Sequence, residues 1–261
     1  MINRLSVVPY FKTYLWRLVP PHFRPQEVAK RFVNTVSSDG VASGPFRGMH
    51  YRVTSLNSAW YPKAIGLYER ELHDVIEECI QGQPDLIVDV GAAEGYYAVG
   101  LALRLPNARV VAFEASDHDS IRELADRNGV MNRIEILGLC DLGSLANALT
   151  GSDNTLLVMD IEGTESVLLD PAYVPTLRTA TILVESHDIF LPGISRLLCD
   201  RFKRTHSIQL IEARPPDAAD LPMKIPRHLG CDLTQYVVSL MWERPLPMHW
   251  LYMKPLPKAT D

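Results

Sequence analysis

Leu86-Ile-Val-Asp-Val-Gly-Ala-Ala-Glu-Gly-Tyr-Tyr-Ala-Val-Gly100 is the stretch that decides the fold. Its first five residues form the apolar, β-branched run of a strand covered on both faces, and from Tyr96 apolar residues continue at helical spacing. Between strand and helix the chain has to turn within a few residues, with its backbone close to whatever sits at the strand's carboxyl end. Gly91 leaves room there, since a Cβ would block the approach or forbid positive φ. Gly95 lets the helix start pack near the strand, where free N–H groups and partial positive charge suit a carboxylate. Asp89 can hold the turn by accepting its backbone donors, or bind a ligand's amino group.

Working outward, further strands are expected at Arg109–Glu114, Arg133–Leu137, Thr155–Asp160 and Thr181–Glu185. Helices are expected at Ser120–Asn128, Leu142–Leu149, from near Gly163, and at Gly193–Phe202. Such alternation predicts βαβ units, a parallel sheet and a ligand at the strands' carboxyl ends. The strands near His206–Ile211 and Trp250–Met253 lack that alternation and read as an antiparallel hairpin at the sheet edge. Upstream, Ile65, Tyr68, Leu72, Val75, Ile76 and Cys79 recur at helical spacing, which predicts one helix from Tyr61 to Ile80 leading into the core. The expected division is 1–80 as N-terminal helical cover and leading helix, 81–212 as cofactor-binding core, and 213–261 as a Pro-rich region with the final strand.

Composition narrows the partners. The 261 residues are 47% hydrophobic, enough for an extensive core, and the formal charge of −5 gives no bulk attraction to phosphate backbones. Nucleic acid is therefore not expected. Cys79, Cys140, Cys199 and Cys231 are far apart, form no CxxC pair and fit reduced thiols of the cytoplasm. The N-terminus interrupts its apolar residues with Arg4, Lys12 and Arg17, short of the roughly 18 uninterrupted apolar residues of a membrane span. Leu5 to Leu18 reads as an amphipathic arm that touches a partner subunit or a membrane surface.

The glycine turn alone fits a nucleotide site and a structural βα turn equally. Glu114 tips the balance, because it ends the second strand 25 residues after Asp89, where a carboxylate accepts hydrogen bonds from both ribose hydroxyls. After strand three, Asp141 can accept from an adenine amino group while Leu142 packs on the ring; an acid there is also an ordinary N-cap. Ala93 and Tyr96 occupy the second and third glycine positions of GxGxxG, which weakens a dinucleotide reading.

The run DVGAAEGYYAVGLA, with AFEAS, RNGVMNRIEILG, VMDIEGTESVLLDP and ILVESHD, resembles the FkbM-type branch of class I S-adenosylmethionine-dependent methyltransferases, from about Gly48 to Phe202. The resemblance implies an α/β, Rossmann-like, seven-stranded and mostly parallel sheet. It also implies S-adenosyl-L-methionine lying across Asp89, Gly91, Ala92 and Gly95, then Glu114 and Cys140, Asp141 and Leu142, with Tyr96 and Asp160 beside it. A small-molecule acceptor, a sugar or secondary-metabolite hydroxyl, follows from the resemblance alone.

Methyl transfer from a sulfonium is an in-line displacement, so the protein mainly aligns the acceptor, excludes water and removes a proton from a hydroxyl. Asp160 and Glu162 after strand four and Glu185 and His187 at strand five are placed to converge. Two mechanisms use them. In one, Asp160, Glu185 and His187 hold a divalent ion that lowers the hydroxyl's pKa, an arrangement similar to that of catechol-type methyltransferases. In the other, His187 is a metal-free general base oriented by Glu185 or Asp160. The second is favoured, since acid-Ser-His differs from the catechol family's acid-Asn pair. Asp160 and Glu162 also fit a purely structural reading, organising the turn and capping the next helix with Glu165 in its first turn; for Glu162 and Glu165 that reading and a functional one stand equal.

Other residues carry bland readings beside functional ones. Tyr68 and Glu69 are placed to close over the cofactor or to form a helix interface; Tyr96 and Tyr97 to line the pocket or to fill core. His206 reads as a structural histidine, and Trp242, His249, Trp250 and Tyr252 as an aromatic sheet edge or an acceptor wall. Methylation of an amine or peptide nitrogen, a nicotinamide oxidoreductase and a non-catalytic nucleoside-binding module stay open.

Overall fold

The computed structural model describes residues 19–52, 59–243 and 248–257. The arm over residues 5–18, with any subunit contact through it, lies outside them. The chain enters through α1 (Pro25–Val36) and α2 (Trp60–Ile65), and a single 3-10 turn (Arg70–Leu72) leads into α3 (His73–Gln81). The alternating core then runs β1 (Leu86–Val90), α4 (Tyr96–Arg104), β2 (Arg109–Phe113), α5 (His118–Arg127), β3 (Ile134–Leu137) and α6 (Leu142–Ala148). It continues with β4 (Thr155–Met159), α7 (Glu165–Leu168), β5 (Thr181–Ser186), α8 (Ile194–Phe202) and β6 (His206–Glu212). A two-stranded ribbon, β7 (Arg227–His228) and β8 (Cys231–Asp232), precedes α9 (Thr234–Leu240) and β9 (His249–Pro255).

The seven-stranded sheet has the order β3-β2-β1-β4-β5-β9-β6. Strands β1 to β5 pair in parallel, and β9 is antiparallel to both β5 and β6. The expected antiparallel pair of terminal strands therefore exists, with the last strand, β9, between β5 and β6 and β6 left at the edge. Every residue of β1 and β4 is buried, as befits central strands covered on both faces. The strand order reverses between β1 and β4, which opens a crevice at their carboxyl ends.

Each face of the sheet has its own core. Ile87 and Val110 meet Val75 of α3, Leu101 of α4 and Ile121 of α5 on one side. Val88, Val111 and Ile182 meet Leu145 of α6 and Leu198 and Phe202 of α8 on the other. A third cluster joins Ala29 and Val33 of α1 and Ile65 of α2 to Val237 of α9 and Met241. The N-terminal cover and the C-terminal region thus pack on each other.

The continuous helix expected over Tyr61–Ile80 is broken. Gly66, with φ 81°, caps α2 in the left-handed region, and a Cβ there would fall 2.0 Å from the Ser43 carbonyl oxygen. Glu69 is also left-handed, with φ 45°. The apolar residues on either side of the break enter different cores, Ile65 with Val33 and Val237 and then Val75 and Ile76 beneath the sheet face. Their spacing nevertheless runs through the break, so periodicity alone reads as one helix. No helix of the described residues is long and apolar enough to cross a membrane.

Candidate active site

The turn after β1 closes on the protein's own backbone. Asp160 N–H donates to the Val90 carbonyl at 2.9 Å and draws the end of β4 against the turn. A Cβ on Gly91, whose φ is 85°, would stand 1.9 Å from the Asp160 carbonyl oxygen. Strand packing by itself therefore demands this glycine. The Gly91 and Ala92 N–H groups both donate to the Phe113 carbonyl at 3.0 Å, and Gly95 N–H donates to Ala92 at 2.7 Å. Ala93 adopts the left-handed φ of 48°, which glycine would occupy without strain, and its N–H donates to Glu114 Oε2 at 2.9 Å.

Two expectations change here. Gly95 saves space between helices: its Cβ would lie 3.2 Å from Ile121 Cγ2 of α5, so the approach is not one of helix to strand. The turn's N–H groups are also largely committed within the protein, and the Ala98 N–H in the first turn of α4 donates to Asp89. Asp89, 3% exposed, thereby braces the helix start. Burial pushes its carboxyl up to about 7, the Ala98 N–H opposes that, and the charges of Asp160, Glu114 and Glu94 reinforce it.

Above the ends of β1, β2 and β4 lies a cavity of about 510 Å³, lined among others by Gly91, Ala93, Glu114, Leu139, Cys140 and Asp160. That volume suits a small-molecule ligand. Glu114 Oε1 accepts from the Ser116 N–H at 2.9 Å and its hydroxyl at 2.8 Å. Of the residues after β3, Cys140 faces the cavity and Leu139, 81% exposed, joins it. Asp141 instead caps α6: its Oδ1 accepts from Ser144 N–H at 2.7 Å, and its N–H donates to Ser144 Oγ at 2.9 Å. Leu142 packs into the core on the α6 side. Leu139, and not Leu142, is therefore the leucine that lines the cavity.

Ala92 and Tyr96 are buried outside this cavity. Tyr96 packs edge-on against Phe46, Tyr51 and Tyr68, the core alternative for this residue. Tyr97 donates its hydroxyl to Glu69, and the Glu69 N–H donates to the Glu243 carboxylate at 3.1 and 3.3 Å, so Glu69 belongs to an interface between chain ends. His206 is hydrogen-bonded at both ring nitrogens, to Ala180 O and Thr205 Oγ1 at 2.9 Å each, and burial lowers its pKa. Trp250 and Tyr252 are buried in the sheet, while Trp242 is exposed. The aromatic residues of that strand fill the sheet's core, but the strand itself lies between β5 and β6 and not at the edge.

Asp160, Glu185 and His187 do converge. His187 Nε2 is 3.3 Å from Glu185 Oε2 and 3.4 Å from Asp160 Oδ1. Glu185 and His187 are 2% exposed, whereas Asp160 is half-buried and opens onto the cavity. A third carboxylate, Glu165 Oε1, lies 2.5 Å from His187 Nδ1. Burial pulls the imidazole's pKa down, but the hydrogen bond to Glu165 and the charges of Asp160, Glu165 and Glu162 outweigh it, so the net shift is upward from 6.5. The Phe190 ring stacks on His187, with centroids 5.7 Å apart. One ligand atom from each of Asp160, Glu185 and His187 lies within 4.8 Å of the others, close enough to share a metal ion.

No protein-family model matches the chain. Among curated proteins, the release factor glutamine methyltransferase of Chlorobaculum tepidum is 36% identical over 101 residues, which are 38% of this chain and 31% of that protein. The match thus spans less than a third of the curated relative. Among solved structures, cofactor-bound Rv0187 from MTB aligns over 95% of this chain and 98% of its own, with 14% identity and a TM-score of 0.43. An O-methyltransferase from Bacillus cereus in complex with SAH aligns over 94% of this chain and 97% of its own, with 13% identity and a TM-score of 0.41.

Proposed function

We propose that the chain is an S-adenosylmethionine-dependent methyltransferase of the FkbM-type branch that methylates a hydroxyl of a small molecule, a sugar or secondary metabolite, in the cytoplasm. One observation carries the reading: a single cavity runs from Glu114 and Cys140 to Asp160, and Asp160 touches the buried His187–Glu185 pair. A nucleoside end held at Glu114 would direct the other end of the same ligand towards a proton-accepting cluster. Val90, Gly91 and Ala93 of the turn after β1 line that path. The identity shared with a methyltransferase of Chlorobaculum tepidum over 101 residues supports the donor.

In this reading the acceptor oxygen attacks the sulfonium methyl carbon in line. The new O–CH₃ bond forms as the C–S bond breaks, leaving S-adenosylhomocysteine, and the hydroxyl proton passes to His187 Nε2. Glu185 and Asp160 stabilise the imidazolium that results. Calorimetry with S-adenosylmethionine and NADH tests the donor. Tight NADH binding without S-adenosylmethionine binding would assign the cavity to an oxidoreductase, and donor binding without transfer to any acceptor would mark a non-catalytic module.

A second reading has its own observation. The Asp160, Glu185 and His187 atoms could share a divalent ion of the Mg²⁺ or Mn²⁺ type, which would supply Lewis-acid activation of the hydroxyl. Retained turnover after exhaustive chelation favours the metal-free base, and loss restored by added Mn²⁺ favours the ion. The relative's glutamine acceptor keeps nitrogen methylation as the alternative chemistry, separable with an acceptor panel of hydroxyls and amines.

A further inference from the structure

Glu165 begins α7 and is 0% exposed. A glutamate serving as a first-turn cap ordinarily keeps its carboxylate in water, so complete burial needs another cause. The turn before it supplies the geometry. Glu162 and Gly163 take positive φ of 54° and 108°, which folds the chain back so that Glu165 Oε1 accepts the Gly163 N–H at 3.1 Å. The same oxygen sits 2.5 Å from His187 Nδ1. Glu165 Oε2 is buried and has no hydrogen-bond partner among the described residues. The side chain thus accepts a desolvated position in which its side-chain partner is one imidazole nitrogen.

We propose that Glu165 is the positioning residue for His187, holding Nδ1–H so that Nε2 is the nitrogen presented to Glu185 and to Asp160, the member of the group that lines the cavity. A carboxylate accepts and does not donate, and Glu165 at 2.5 Å from Nδ1 is far closer than Glu185 and Asp160 at 3.3 and 3.4 Å from Nε2, so a neutral ring with one proton keeps it on Nδ1. In the neutral imidazole the lone pair is then on Nε2, which lies on the Asp160 side. Phe190 covers one ring face, and the ring's two ends are held by carboxylates from three elements: Glu165 of α7, Asp160 after β4 and Glu185 of β5. Rotation of the ring would break all of these contacts together. The proposal rests on His187 being the group that takes the acceptor's proton, and its test has one arm that does not depend on that role.

That arm is nitrogen-detected NMR of the full chain labelled at histidine, with H187A to assign the signal. The neutral His187 ring is expected as the Nδ1–H tautomer, and in Glu165→Ala it should revert to a mixture or to Nε2–H. Glu165→Gln, whose carbonyl can still accept from Nδ1–H, should keep the wild-type tautomer. An Nε2–H tautomer in the wild-type protein overturns the proposal, and this measurement stands even where a variant does not fold. In the second arm, turnover of a methyl glycoside acceptor should fall on the order of 100-fold in Glu165→Ala. Affinity for S-adenosylmethionine should stay within about twofold, Glu165→Gln should recover part of the loss, and adding H187A should cost little more. Unchanged turnover in Glu165→Ala, or losses that simply multiply with H187A, would also overturn it. A wild-type protein that binds no S-adenosylmethionine speaks against the methyltransferase reading, while the tautomer of His187 still decides the role of Glu165.

Discussion

Glu114 and His187 carry the two halves of the candidate site, and each has a consequence at its own atoms. A carboxylate offers about four lone-pair positions, and Ala93 N–H with the Ser116 N–H and hydroxyl use three of those on Glu114. What remains faces the cavity, where a ribose hydroxyl would donate. Glu114→Ala is expected to weaken S-adenosylmethionine binding by about 1–3 kcal/mol, and titration calorimetry showing wild-type affinity would remove the ribose role. His187 has a folded pKa above its ordinary 6.5, burial being outweighed by Glu165, Asp160 and Glu162. Its base form grows as pH rises through that raised value, so turnover should climb across the window above 6.5. A histidine shifted this way contributes stability that is fully present below 6.5 and lost as pH rises through the folded pKa. Melting temperatures of wild type and H187A should therefore converge over the pH range in which turnover rises; a flat rate profile would exclude His187 as the base. Glu114 was legible in the sequence because a strand end and a spacing announce it. Glu165 was not, since its partner lies 22 residues away on another element and its local context is that of any helix-start acid.

Strands and their following helices were readable to within a residue or two because buried parallel strands leave short apolar runs and a glycine turn separates them from a new period. The break between α2 and α3 was not readable, because what enforces it is the Ser43 backbone pressed against Gly66, a contact between distant segments. The same region holds a buried ion pair that no pattern signals. Lys63, in α2, pairs with Glu94 of the β1–α4 turn, with Tyr51 hydroxyl donating to the same carboxylate at 2.7 Å and the Tyr68 ring 4.5 Å beneath the ammonium. Burial would raise the Glu94 pKa, but Lys63 outweighs it and holds the carboxyl below its usual 4.5. Lys63→Met leaves that carboxylate buried and unpaired by a cation, and should cost about 3–5 kcal/mol of unfolding free energy. A depressed acid contributes stability present above 4.5 and lost as pH falls through the lower folded value, so the penalty should shrink in acid. Urea titrations at neutral and acidic pH measure both, and a Lys63→Met/Glu94→Gln pair less damaged than the single variant would identify the stranded charge as the cause.

At the scale of the whole molecule the N-terminal helices α1 and α2 are fastened to the C-terminal helix α9. β9 inserts between β5 and β6, α9 packs its Val237 against Val33 of α1 and Ile65 of α2, and Glu243, just beyond Met241, receives the Glu69 N–H. The cover is thus made jointly by segments that the sequence division placed at opposite ends. Its junction is sensitive to charge. Burial pushes the Glu243 carboxyl up to about 9, the Glu69 and Glu71 carboxylates push the same way, and the Glu69 N–H opposes them. Here the folded pKa exceeds the unfolded one, so the folded chain binds a proton that the unfolded chain has already released above 4.5. Stability from this group is fully present below 4.5 and declines as pH rises towards 9. Glu243→Gln imitates the protonated acid at every pH and should remove that decline. Its melting temperature should match wild type near pH 4 and exceed it by a few degrees near pH 8. A variant that tracks wild type across the whole range would mean that Glu243 is ionised in the folded protein, and that the Glu69 N–H, rather than a bound proton, offsets its burial.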